Sequence, residues 1–403
     1  LVLIGVYPFF ISGQLENSLV RWMILVLAGS TLVDYFFLGK YRVLLTANQE
    51  GYVVALIQAA GTIVNMVVSI FLIYIGAGVL FVKAVATGVY MLRLVLVKIY
   101  VKRKYPALDF YAEPNEGALK QKNAALLHQV VGIIVNNTDT TVLTICLGAK
   151  SLLEVSVYGI YMMVVNAVNQ LMTSFSNGLT AGFGEVIAKN EEETLKKSYS
   201  SYEYMYFVIM FIVIACMGVL ILPFVGVYTI NLTDVQYVRP VLGILFTLIV
   251  FMQNVRIPGL TIICAAGHYK ETRYQAILEA VINITVSLGL VWKFGMAGVL
   301  LGTVCSYGYR SFEIVFYTSR HLVKGCAKKS MFRILRNVFT VAILCTVGTY
   351  VIPQEITSFT TWFLYAIGMG LTSVFLVVVI NYVVEPDEFM QLRHRVNDII
   401  KKE

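Results

Sequence analysis

The stretch GAGVLFVKAVATGVY, Gly76 to Tyr90, has a counterpart further along the chain, GMAGVLLGTVCSYGY, Gly295 to Tyr309. Ala77-Gly78-Val79-Leu80 matches Ala297-Gly298-Val299-Leu300 and Gly88 matches Gly308, at an offset of 220. Just upstream, Ile63-Val64-Asn65 matches Val281-Ile282-Asn283 at an offset of 218. Glycine and valine are common, so the letters alone carry little. The shared position carries more: both copies fall in a unit of internal loop, helix, short external hairpin and helix.

The composition sets the solvent around these units. Of 403 residues, 58% are hydrophobic and 13% charged, with a mean hydropathy of +0.77. Soluble domains are about 45–50% apolar and about 25% charged, so the chain reads as a polytopic membrane protein. Backbone groups in lipid must be satisfied internally, which leaves helices or a closed barrel. Apolar runs of about 20 residues without strict alternation select helices. Twelve hydrophobic segments are predicted, at 1–12, 19–39, 52–75, 78–101, 126–148, 153–176, 202–227, 238–263, 274–292, 297–319, 334–352 and 359–383. The first is too short to span.

Charge orients them. With the C-terminus in the cytoplasm, the inside loops and tail hold 23 cations and the outside loops three, Lys150, Arg239 and Lys293. This is a positive-inside pattern. It accounts for the net charge of +8 without a nucleic-acid partner. Trp22, Trp292 and Trp362 fall near outer helix ends, as in an interfacial aromatic belt.

The offset extends to other helices. Subtracting 218 carries 238–263 onto 20–45 and 202–227 onto the remnant 1–12, while 126–148 and 153–176 map upstream of residue 1. The expectation is a six-helix repeat whose first copy lacks its first two helices and part of a third. An even helix number makes the copies parallel repeats about an axis along the membrane normal. The predicted organisation is an incomplete N-terminal lobe (1–104), a cytoplasmic linker (105–125), a C-terminal lobe (126–320), two additional helices (321–383) and a cytoplasmic tail (384–403). About 11 full spans and one partial span follow, against six plus six plus two helices in an intact protein.

Soluble-enzyme and metal chemistry find no support. The six cysteines form no CxxC pair and read as small apolar residues. There is no HExxH, no phosphate loop and no G-x-S-x-G elbow. No cofactor and no metal are expected.

Five cations lie inside spans: Arg21, Lys83, Arg93, Arg256 and Arg310. Arg21, beside Trp22, reads as snorkelling to the interface. Lys83 either snorkels or faces a cavity. Arg310 has Glu313 at i+3 as a local partner. Arg93 and Arg256 sit deeper and have no opposite charge at i±3 or i±4. An arginine at the centre of a lipid-facing helix costs at least about 2.5 kcal/mol, so both are functional candidates, with inner-leaflet snorkelling the alternative. Pro258, followed by Gly259, should kink the helix beside Arg256, because proline removes its own amide and clashes with the carbonyl of Asn254. Such a hinge either lines a site or only shapes packing.

Two polar stripes run along predicted helices. Asn166, Asn169, Gln170, Thr173 and Asn177 share one stripe; Asn137, Thr140, Thr141 and Thr144 share another. A stripe of this length reads as the wall of a hydrated cavity, with dry helix packing as the alternative. Asp139 is the most central acid and either pairs with a cation or carries a coupling ion.

The pattern NNTDTTVLTICLGAKSLLEVSVYGIYMMVVNAVNQL (Asn136 to Leu171), followed by CAAGHYKETRYQAILEAVINITVSLGLVWKFGMAGVLLGT (Cys264 to Thr303), resembles the Wzx-type polysaccharide flippases of the multidrug/oligosaccharidyl-lipid/polysaccharide exporter superfamily. The resemblance implies an all-α, MATE-like fold of two six-helix bundles plus two helices. It implies a multi-pass protein of the bacterial inner membrane, not an enzyme. The implied activity is moving undecaprenyl-diphosphate-linked oligosaccharide repeat units to the outer leaflet for O-antigen or capsule biosynthesis, with H+ or Na+ as a possible coupling ion. On that reading Arg256, Arg93 and Lys83 meet phosphate, whose oxygens suit the arginine fork. Asn137, Asn166, Asn169, Gln170 and Thr173 meet sugar. A drug or cation exporter of the same fold is the alternative, and would favour acids over cations in its cavity. A membrane glycan polymerase or ligase needs a sizeable outside loop, and the longest complete one, near Thr229 to Val238, has about ten residues. A scaffold without transport predicts dry, buried stripes.

Overall fold

The computed structural model describes residues 17–48, 50–106, 108, 121–176, 179–353 and 356–390. The predicted segment 1–12, Asn177 and the tail beyond 390 lie outside the described residues. Everything regular among the described residues is helical. In chain order the helices are α1 (Asn17–Val33), α2 (Gly39–Ala47), α3 (Gly51–Tyr74), α4 (Val79–Lys104), α5 (Lys122–Cys146), α6 (Ser151–Ser176) and α7 (Leu179–Ala188). They continue with α8 (Glu192–Tyr228), α9 (Pro240–Val255), α10 (Ile257–Ala265), α11 (Arg273–Phe294), α12 (Met296–His321), α13 (Ala327–Val351) and α14 (Phe359–Val384). A π turn at Asp34–Leu38 joins α1 to α2, so this helical run continues well past the predicted end at 39. Helix α8 starts ten residues before its predicted 202 and, at about 1.5 Å per residue, is longer than the hydrocarbon core is thick.

Eight candidate spans among the described residues are long and apolar enough to cross a membrane; α6–α7 and α9–α10 each count as one. Helices α5 and α12 have the length but are diluted by polar residues, NNTDTT in α5 and the Tyr307-to-Glu313 stretch in α12. Those residues build the site described below. The chain is therefore a multi-pass membrane protein by length and composition.

The chain divides into two compact units, residues 1–119 and 120–403. In the first, α4 packs against α3 and α1, with a small core of Leu38, Tyr41, Leu45, Val97 and Val101. In the second, α5, α11 and α12 form one layer and α9 packs on α12, α8 and α6. Its core is rich in aromatics; Tyr161 stacks on Phe246 with ring centroids 5.1 Å apart. Helices α13 and α14 pack on α8 through a separate cluster of Val219, Leu344, Met369 and Val377. There Trp362 donates to the Leu220 carbonyl at 3.2 Å, so this tryptophan is anchored to protein while Trp22 and Trp292 stay exposed.

Both repeat copies are hairpins, α3–α4 and α11–α12. The second turns at Gly295, whose φ of +56° suits glycine. Close approach follows from Gly302: a Cβ there would lie 2.7 Å from the backbone nitrogen of Ser287. Ser287 Oγ donates to the Val299 carbonyl at 3.1 Å in the same contact.

Candidate functional site in the polar core of the second unit

The break predicted at Pro258 is present: α9 ends at Val255, α10 starts at Ile257, and Arg256 occupies the junction. Pro258 and Gly259 are buried. Gly259 is where α10 meets α12; a Cβ there would come within 2.6 Å of Ile314 Cγ2. Its small size therefore serves packing.

Arg256 is 14% exposed in its side chain and is paired. Its Nη1 donates to Glu279 Oε1 on α11, and its guanidinium lies 4.5 Å from the centre of the Tyr307 ring on α12. The other oxygen of Glu279 sits 3.5 Å from Arg310 Nε, and Arg310 Nη1 bonds Glu313. Four charges thus alternate in sign, Arg256–Glu279–Arg310–Glu313, and sum to zero. Buried charges persist when paired and hydrogen-bonded. The absence of a partner at i±3 or i±4 holds for Arg256's own helix; its counter-charge comes from a neighbouring one. Arg256 Nε is buried with no hydrogen-bond partner.

One helical turn along α12 lies a second polar group. Asp139 of α5 is 4% exposed. Its Oδ1 accepts from Thr303 Oγ1 at 2.7 Å and its Oδ2 from Tyr158 Oη at 3.4 Å. Asn283 donates to Thr303 Oγ1 at 3.0 Å and to Ser306 Oγ at 3.4 Å, while its own Oδ1 is buried and unpartnered. Among the described residues no cation forms an ion pair with Asp139. Tyr307 Oη donates to Asn136 Oδ1 at 3.1 Å and so links α5 to the ring beneath Arg256.

The stripe on α6 divides. Asn166, Gln170 and Thr173 are exposed, uncovered by the helices of their own unit, while Val164 and Val168 pack against the core. Asn169 turns inward: it donates to Gln253 Oε1 at 2.9 Å and accepts from Asn254 Nδ2 at 3.0 Å. Tyr206 Oη donates to Asn254 Oδ1 at 2.9 Å. This amide network ends at the residues just before Arg256. On α5, Asn137 and Thr141 are exposed, Thr140 is half-buried and Thr144 is buried, so that stripe also straddles two environments. Asn137 donates to its own helix, at the Ile133 carbonyl, 2.8 Å.

In the first unit, Lys83 is exposed on α4. Arg93 is 7% exposed, packed on Gly61, with Nη2 donating to Thr62 Oγ1 at 2.9 Å and the guanidinium 4.1 Å from the Tyr90 ring centre. Arg93 and Arg42 line a cavity of about 80 Å³ with Gln58 and Tyr90.

A further ionic cluster was not legible in the sequence. Arg333 of α13, counted among loop cations, is fully buried. It donates to Glu203 Oε2 at 3.0 Å, Glu385 Oε1 at 3.0 Å and the Ser200 carbonyl at 3.1 Å. Arg336 bonds Glu385 at 3.0 Å and Asn381, and Lys329 bonds Glu388 at 2.6 Å. Burial pushes the Glu388 carboxyl up. Hydrogen bonds from Lys329 and Ser200, with the Lys329 and Arg333 charges, outweigh it and hold the group below its usual range. The cluster ties α13 and α14 to α8. Glu203, the one acid in the apolar, tyrosine-rich segment predicted at 202–227, was the available signal.

No known protein-family model matches the chain, and no curated protein matches it.

Proposed function

We propose that this protein flips lipid-diphosphate-linked oligosaccharides from the cytoplasmic to the outer leaflet of a bacterial inner membrane, as a Wzx-type transporter rather than an enzyme. On this reading the fold is MATE-like, the C-terminus is cytoplasmic, and the two lobes work by alternating access. The observation that carries the reading is the uncovered face of α6. Asn166, Gln170 and Thr173 stand exposed on a helix of membrane-spanning length. Amides facing lipid are unfavourable, so such a face is suited to water and sugar hydroxyls. Asn137 extends the same chemistry to α5. Arg256, at the end of the amide network, supplies a planar fork for the diphosphate; within the first unit, Arg93 and Lys83 carry the cationic chemistry that suits phosphate.

Asp139 is the proposed coupling site. Among the described residues its hydrogen-bond partners are hydroxyls, and Asn283 bonds the same threonine through Nδ2 while its Oδ1 stays unpartnered, so these oxygen-rich surroundings suit H+ or Na+. The same buried acid favours the second reading, a MATE-like cation or drug exporter.

The test is surface glycan at matched protein level in cells whose chromosomal gene carries Arg256→Ala. The expected result is near-complete loss of glycan with lipid-linked precursor accumulating on the cytoplasmic face. Wild-type glycan would remove the phosphate role. Normal glycan with raised drug sensitivity would favour the exporter.

A further inference from the structure

Glu279 is placed so that it holds Arg256 with one oxygen while its other oxygen faces Arg310 Nε at 3.5 Å. Resting on the flippase reading, we propose that Glu279 is an internal anion occupying the phosphate position at Arg256, so that diphosphates are admitted and the monoanionic phosphodiesters of ordinary phospholipids are refused.

The argument starts from the charge sum. The tetrad is neutral as it stands, so it offers a passing anion no net-charge attraction, only the short-range pull of the Arg256 end. An incoming group gains the guanidinium only by displacing a carboxylate of charge −1. A phosphodiester also carries −1, so the exchange brings no charge advantage, and it must surrender hydration to enter. A diphosphate carries more negative charge and has oxygens on two phosphorus atoms to meet the fork. It therefore displaces the carboxylate where the diester does not. The discrimination matters because phosphodiesters vastly outnumber any diphosphate lipid in a bilayer.

The geometry provides for the exchange. A guanidinium has five N–H donors; Arg256 uses some of them on Glu279 and the Tyr307 hydroxyl, while its Nε is buried and unsatisfied. The side chain thus has donors in reserve for a better acceptor. The Tyr307 ring, 4.5 Å away, offers a flat surface over which the guanidinium can turn without losing its stacking partner. The displaced Glu279 is not stranded, because Arg310 already stands beside its second oxygen. Arg310 is in turn anchored by Glu313, so the tetrad keeps an ordered remainder when Arg256 leaves.

The experiment measures binding of two soluble probes, farnesyl diphosphate and dihexanoylphosphatidylglycerol, to full-length protein in a neutral detergent. Wild type should prefer the diphosphate by at least about tenfold. Glu279→Gln should gain phosphodiester affinity and narrow the ratio to about threefold or less. Glu279→Asp keeps the charge but is too short to hold Nη1 as well, and should fall between; it also serves if Glu279→Gln does not fold, as checked by its melting temperature. Arg256→Gln should bind neither probe. An unchanged preference in both Glu279 variants, with binding lost in Arg256→Gln, overturns the inference and leaves the phosphate role of Arg256 standing. Undiminished diphosphate binding by Arg256→Gln overturns that role itself.

Discussion

Asn254 donates its side-chain amide to Asn169 at 3.0 Å, joining α9 to α6 two residues before the helix breaks at Arg256. Each partner is itself tied elsewhere, Asn169 to Gln253 and Asn254 to Tyr206. A network satisfied at this many points fixes the direction in which the broken helix leaves the junction.

A double-mutant cycle of Asn169→Ala and Asn254→Ala should show a coupling of about 0.6 kcal/mol, the size typical of interhelical polar contacts in membranes. Thermal unfolding in detergent at a single pH is the measurement. Strict additivity would mean that the two amides do not meet.

Single cysteines at Asn166, Gln170 and Thr173, in a background lacking the six native cysteines, should react with water-soluble thiol reagents. Cysteines at Val164 and Val168 should be protected, since both pack on the core. A cysteine at Asn169 should behave like the protected pair, because this residue is turned into the amide network. Equal protection on both faces would return the stripe to dry packing.

Arg333→Ala leaves Glu203, Glu385 and Glu388 facing one another around a vacated position. Breaking a buried pair by removing one partner costs about 3–5 kcal/mol, so the melting temperature should fall sharply. Arg333→Lys keeps the charge but not the fork, and should lie between. A surface change such as Lys324→Ala, whose contact to Glu192 is exposed, should shift it little.

Acid should loosen the same cluster through Glu388. Its carboxyl is held below the usual range by the folded surroundings. A lowered folded value means that the stabilisation is present above the unfolded value of about 4.3 and disappears as pH falls through the folded one. Protection of the α14 end against proteolysis should therefore persist at neutral pH and decline below about pH 4. Glu388→Gln should flatten this dependence; an unaltered profile would assign the acid sensitivity elsewhere.

The helical segments were readable because length and apolarity are local properties. So was the break at Pro258, which follows from one missing amide. Arg256's partner was not readable, since Glu279 is 23 residues away on another helix and only packing brings them together. The inward turn of Asn169 falls between these cases. At 3.6 residues per turn it sits about 60° around the helix from Asn166, close enough to join a stripe on paper and far enough to reach α9. Arg333 was misplaced for a different reason: counting cations by loop assumes that a residue near a helix end reaches water. Here α14 and the long α8 close over it.

The tight hairpin at Gly295 and Gly302 has a mechanical meaning. With Ser287, Asn283 and Glu279 of α11 each tied across to α12, the two helices form a single stiff lever. Thr303 on that lever touches Asp139, and Tyr307, one turn on, lies beneath Arg256. A shift of less than one helical turn along this axis is felt by the carboxylate and the guanidinium together. In the proposed alternating-access cycle, the two charges would be read by the same part.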